Sequence, residues 1–108
     1  MSITIHLRYT GKDGSAMRFA EEMTESGTVA AIRAETGNLR YEYYRSLEDP
    51  ETVLLIDSWA DQAALDVHHS SAMMETVAAL REKYDLHMTA ERFQSTGTPD
   101  SEARFLRL

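Results

Sequence analysis

The sequence predicts an α+β domain in which helices cover one face of a four-stranded antiparallel sheet. Three observations predict it. Apolar residues alternate with period two in four segments and recur at three- and four-residue steps in the stretches between them. Two strand-like segments are joined by a turn too short for a parallel crossover. The order is strand, helix, strand, strand, helix in two pieces, strand, which is the split-βαβ, ferredoxin-like arrangement.

The first segment, SITIHLRY, sends Ile3, Ile5, Leu7 and Tyr9 to one side and Thr4, His6 and Arg8 to the other. The glycine-rich TGKDG then breaks the strand. From Ser15 the period changes. Ala16, Phe19, Ala20, Met23, Gly27, Ala30, Ala31 and Ala34 mark one helix ending near Glu35, with Gly37 as its stop and a bend near Gly27. NLRYEYYRS and TVLLIDSWA form a hairpin around LEDPE and its Pro50. Leu39, Tyr41, Tyr43 and Arg45 share a face of the first strand; Val53, Leu55, Asp57 and Trp59 share a face of the second. Asp57 is the one acid on that otherwise apolar and aromatic face. Asp61 is placed to cap a short helix, QAALDVHH. After Ser70 and Ser71, a second piece aligns Met73, Val77, Leu80 and Tyr84. LHMTAERFQ returns as the last strand. These elements assign residues 1–95 to one domain and leave residues 96–108 as a tail: a polar linker, then an apolar RFLRL, with Arg104, Leu106 and Leu108 alternating against Phe105 and Arg107, expected to dock by strand addition on its own or a partner's sheet.

A chain of 108 residues suits a single domain, and one this small gains from burying more apolar surface in an oligomer. The sheet face away from the helices still carries large side chains. A second copy is its simplest cover, so a two-fold homodimer is expected. The charge balance, 11 − 18 = −7, argues against a nucleic-acid binder and against an anionic membrane surface. No stretch approaches the roughly 20 apolar residues of a membrane span. Without cysteine there are no disulfides, thiolate metal sites or cysteine nucleophiles, and with no apolar leader at Met1–Thr10 the expected location is cytoplasmic.

The neighbouring His68 and His69 are the conspicuous polar pair. Helical metal ligands belong at i and i+3 or i+4; adjacent histidines diverge by about 100°, and no third ligand is evident, so no metal site is expected. There is no G-x-S-x-G elbow for a serine nucleophile, and Ser70 and Ser71 read more simply as helix-junction residues. TGKDG has neither the phosphate-loop nor the dinucleotide spacing, so no nucleotide cofactor is expected. Tyrosine and tryptophan on a sheet usually serve packing, and a histidine facing a core is usually a packed one. Taken together, however, His6, Asn38, Asp57, Trp59 and His68 could converge if QAALDVHH folds back over the sheet, giving an aromatic wall with a few polar groups.

The stretch RAETGNLRYEYYRSLEDPETVLLIDSWADQAALDVHHSS resembles the antibiotic biosynthesis monooxygenase domain, a group that includes small quinol monooxygenases. The resemblance is carried by Arg33, Glu35, Gly37, Asn38 and Leu39, then Asp57 and Trp59, then Ala64, Leu65, His68 and Ser71. The family often has proline where Thr36 stands and glutamate where Asp57 stands. The resemblance implies a dimeric α+β barrel with a pocket in each subunit. It implies oxygenation of electron-rich aromatics by O₂ without flavin, haem or metal, although some relatives look like isomerases and others degrade haem.

On that reading His68 and Asn38 are the candidate catalytic residues: His68 as base, Asn38 as donor to an oxyanion or peroxide. Trp59, Asp57, His6 and Tyr41 are the candidate substrate-binding residues, and the partners are a small aromatic or quinol-like molecule and O₂. His69 turns away. Two other readings stay open: a proton-shuttling isomerase acting on a small ketone, and a non-catalytic ligand-binding dimer.

Overall fold

A computed structural model describes residues 1–107. Four strands, β1 (Ile3–Thr10), β2 (Asn38–Arg45), β3 (Thr52–Trp59) and β4 (His87–Gln94), form one antiparallel sheet in the order β2-β3-β1-β4. The connections carry α1 (Ser15–Glu25) and α2 (Thr28–Arg33) after β1, and α3 (Gln62–His69) and α4 (Met73–Lys83) after β3. This is the expected ferredoxin-like α+β fold.

The alternation in β1 is realised. Ile3 and Tyr9 are buried, with Ile5 and Leu7 packed beside them, against Phe19 and Met23 of α1, Val29 and Ile32 of α2, and Val77 and Leu80 of α4. The opposite face presents Thr4, His6 and Arg8, which pair with Ser58, Ile56 and Leu54 of β3. Those in turn pair with Arg40, Glu42 and Tyr44 of β2. Phe93 of β4 joins this open face, its ring 4.8 Å from that of His6.

Two local expectations need correction. The single helix expected from Ser15 to Glu35 is two helices, broken at Gly27, whose φ of 83° is a left-handed conformation. The break re-phases the chain, so α2 buries Thr28, Val29 and Ile32 while Ala30, Ala31 and Ala34 do not share that buried side. In β2, a register shift between Asn38 and Arg40 takes Leu39 off the face shared by Tyr41 and Tyr43, leaving it 59% exposed. Asp61 caps α3 as expected, its Oδ1 accepting from Ala64 N at 2.8 Å. In the tail, Asp100–Phe105 is a 3₁₀ helix with no buried residue. RFLRL therefore does not add a strand to its own sheet, and Leu108, the last residue of the expected alternation, lies outside the described residues. Among the described residues no helix is long and apolar enough to cross a membrane.

Candidate active site

Three elements converge on His68: α3, the end of β3, and the turn between α2 and β2. His68 and Leu65 form the buried side of α3. The imidazole is 3% exposed and stacks on the Trp59 indole, with ring centroids 4.7 Å apart and planes 26° from parallel. Tyr41 approaches edge-on, its centroid 6.4 Å from that of His68. His69 is exposed, as its position about 100° around the helix requires.

The acid on the aromatic strand has a definite task. Asp57 and Trp59 are two residues apart and so lie on one face of β3. The indole Nε1–H donates to Asp57 Oδ1 at 2.7 Å, which fixes the ring on which His68 rests. Burial raises the Asp57 carboxyl above the ordinary carboxylate value; the tryptophan hydrogen bond and the nearby histidines draw it partly back.

The turn supplies a second acid. Glu35 Oε2 lies 2.6 Å from His68 Nδ1. Their approach depends on Gly37, whose φ is 84° and whose missing Cβ would sit 2.5 Å from that of Ala64. Ala64 and His68 are i and i+4 on α3, hence on one side of it. The turn is tied down further by Ala60 N donating to Gly37 O at 2.8 Å.

Deeper along the sheet the polar cluster continues. Tyr9 is fully buried, and its hydroxyl accepts from Arg81 Nη2 of α4 at 2.8 Å. Tyr43 meets Tyr41 edge-on at 5.9 Å. The Tyr43 hydroxyl and Arg81 Nε are buried without a hydrogen-bond partner among the described residues. Burial raises Tyr9, Tyr41 and Tyr43 above the ordinary phenol value. Tyr43 also lines an apolar groove of about 280 Å³ between α1 and β2.

The structure thus brings together four of the six candidates: His68, Trp59, Asp57 and Tyr41. His6 does not join them. It stands on the opposite face of the sheet beside Phe93, as the parity of β1 dictates. Asn38 sits at the β2 irregularity, where its Nδ2 donates to the backbone carbonyls of Arg40 and Ser58 at 3.3 and 3.4 Å. Trp59 is fully buried beneath the imidazole, so it supports His68 and presents no free face to a ligand. Glu35, Tyr9, Tyr43 and Arg81 are additions that the sequence does not assign to the site. Glu35 stands in the quoted motif without a role; nothing local marks the others.

The family model for antibiotic biosynthesis monooxygenases matches residues 2–80, the span that carries every one of these residues except Arg81. The chain belongs to the antibiotic biosynthesis monooxygenase family. No curated protein sequence matches it. Among solved structures, the fold is shared with SnoaB of Streptomyces nogalater, described as a cofactor-independent oxygenase (17% identity, TM-score 0.76, covering 92% of this chain and 97% of that one). It is shared with PA3566 of Pseudomonas aeruginosa (24% identity, TM-score 0.75, 89% and 95%) and Rv0793 of Mycobacterium tuberculosis (16%, TM-score 0.74, 91% and 98%).

Proposed function

We propose that this family member is a cofactor-free monooxygenase acting on a small aromatic substrate of quinol or anthrone type, and that His68 is its base. The observation that carries the reading is a buried imidazole held between an aromatic platform and a carboxylate. Removing a proton from an activated phenol or anthrone leaves an electron-rich anion. That anion passes one electron to O₂, and recombination of the radical pair forms a C–O bond to a peroxide. The imidazolium returns its proton to the peroxide. At an activated CH₂, loss of the second C–H proton and cleavage of O–O then yield a carbonyl and one water, so the substrate supplies all four electrons that O₂ takes up.

The chain supplies the proton acceptor, a site of low dielectric and donors for the oxyanion. Arg81 Nε suits the last task because it is buried and unpaired among the described residues. Asn38, held to two carbonyls by long hydrogen bonds, is the runner-up donor. His68 is 3% exposed, so a substrate reaches it only by displacing part of its packing. Oxygen uptake with a panel of quinols and anthrones tests the reading. Consumption of one O₂ per substrate with one oxygen atom inserted, an anthrone becoming its quinone or a quinol its hydroxyquinone, and water formed in place of hydrogen peroxide supports it; ketone isomerisation without O₂ uptake would replace it by the isomerase reading.

We propose further that the protein is a homodimer through its open sheet face, where Tyr44 and Phe93 are 39% and 44% exposed and Leu54 and Ile56 lie between them.

A further inference from the structure

We propose that Glu35 is the positioning residue for His68: its carboxylate accepts the Nδ1 proton and so fixes the imidazole tautomer that leaves Nε2 as the free proton acceptor. The inference rests on the reading of His68 as a base, and it goes beyond that reading by assigning which ring nitrogen acts and what selects it.

Three observations support it. The contact is short, 2.6 Å, just under the roughly 2.7–2.9 Å of charge-assisted N–H···O bonds, and the two side chains are only 4% and 18% exposed. Glu35 has no other side-chain partner among the described residues; neither Arg33, whose Nε donates to Tyr41 O, nor any lysine reaches it. A largely buried carboxylate needs a donor, and among the described residues His68 Nδ1–H is the side-chain donor that reaches it. Finally, the approach is constructed by the chain. Gly37 and Ala64 meet closely enough to exclude a Cβ, one helical turn from His68 and two residues from Glu35.

The chemistry follows from the two ring nitrogens being distinct. A neutral imidazole carries one proton, and the hydrogen bond made by one nitrogen decides whether the other can accept. A carboxylate on Nδ1 places the proton there. It also stabilises the imidazolium formed when Nε2 takes a proton from substrate, the role a buried aspartate plays toward the histidine of serine hydrolases. The stacked Trp59 ring limits tilting of the imidazole, so Glu35 and Trp59 together fix both its plane and its protonation pattern.

The test compares the full-length wild type with Glu35→Ala and Glu35→Gln by long-range ¹H–¹⁵N NMR of the His68 ring, where the ¹⁵N shifts report which nitrogen is protonated. The wild type is expected to show the Nδ1–H tautomer with a strongly downfield Nδ1 proton. Glu35→Ala is expected to revert to the Nε2–H form that free imidazole side chains prefer. Glu35→Gln keeps an acceptor oxygen, so it should retain Nδ1–H with its proton moved upfield. If dithranol, an anthrone, proves a substrate, kcat should fall roughly 10- to 100-fold in Glu35→Ala, the scale seen when a partner orienting a ligand histidine is removed, with KM changed only a few-fold and partial recovery in Glu35→Gln. A wild-type Nε2–H tautomer, or a tautomer unaltered in Glu35→Ala, overturns the proposal. Should the alanine variant fail to fold, an Nδ1 proton unmoved in Glu35→Gln overturns it equally. Absence of O₂ uptake by the wild type would count against the monooxygenase reading alone, because the tautomer assignment needs no substrate.

Discussion

Two glycines with the same backbone angle offer a direct measure of how tightly the His68 site is assembled. Gly27 has φ 83° with nothing within 4 Å of where a Cβ would stand, whereas Gly37 has φ 84° and would place its Cβ 2.5 Å from that of Ala64. Gly27→Ala carries only the left-handed strain, about 1–2 kcal/mol, offset by roughly 0.4–1 kcal/mol from a less flexible unfolded chain. Gly37→Ala carries the same two contributions plus overpacking, typically about 1–3 kcal/mol. The expected losses are therefore roughly 1 kcal/mol at Gly27 and roughly 2–4 kcal/mol at Gly37. For a domain near 100 residues these correspond to about 5 °C and about 10–20 °C in Tm. Urea titration reads the difference, at one fixed protein concentration so that any contribution from association is the same for all variants. Introducing Ala64→Gly into Gly37→Ala should recover part of the loss despite its own helix penalty of about 1 kcal/mol, because it removes the opposing Cβ. If the two single variants agreed within about 0.5 kcal/mol, the ordinary limit for independent effects, the close turn–helix approach would not exist in solution.

Other consequences follow from the same geometry. His68→Ala should lower kcat/KM by about 10²–10⁴, the range for a general acid–base group, while the exposed His69→Ala stays within a few-fold; equal losses in two folded variants would remove His68 from its special role. Asp57 has a folded-state pKa above its unfolded value near 3.8, so the native state binds the extra proton, and wild-type stability should fall as pH rises from about 3.8 through the raised value. Asp57→Asn, whose carbonyl still accepts from Trp59 Nε1, should lack that fall; its Tm advantage should widen across this window and then level off, and a gap independent of pH would contradict the burial argument. Ile56→Arg on the open sheet face should shift sedimentation from dimer toward monomer, and truncation after Pro99 should weaken the same association; a monomeric wild type at micromolar concentration would end the dimer proposal.

Strand parity is the most legible feature of the sequence. Alternation alone puts Ile3, Ile5, Leu7 and Tyr9 on one side of β1 and His6 on the other, and the fold keeps that division. Grouping His6 with Trp59 and His68 runs against the same parity: an imidazole suits the chemistry, but β1 turns it to the far face. The expectation of one helix from Ser15 to Glu35 fails because alanine marks a helix without saying which side is buried. Ala30, Ala31 and Ala34 thus extend a period that Gly27 has already broken. Leu39 falls off the Tyr41 face because a bulge leaves no trace in a pattern of alternating residues. His68 is legible through motif and helical position. Glu35 and Arg81 lie 33 and 72 residues from the partners they meet, and such contacts are fixed by tertiary packing, not by any local period.

The two acids of the site differ in what their burial achieves. Asp57 is 4% exposed and its carboxyl is raised by desolvation, so by itself it opposes folding at neutral pH. What it contributes is the fixed indole: without Oδ1, Trp59 Nε1–H would be a buried donor with no acceptor, at a cost of about 1–3 kcal/mol. An amide would satisfy that donor as well and without the charge, so the hydrogen bond alone does not account for a carboxylate. A negative charge beside the platform does something an amide cannot. It favours a cation at the indole face, where His68 lies, and under the proposed mechanism would assist the imidazolium formed as substrate loses its proton. Glu35 acts on the same imidazolium from Nδ1. On the proposed reading the two acids flank one histidine, one at its platform and one at Nδ1, an arrangement costly for a core yet suited to a base that holds a proton through an electron transfer to O₂.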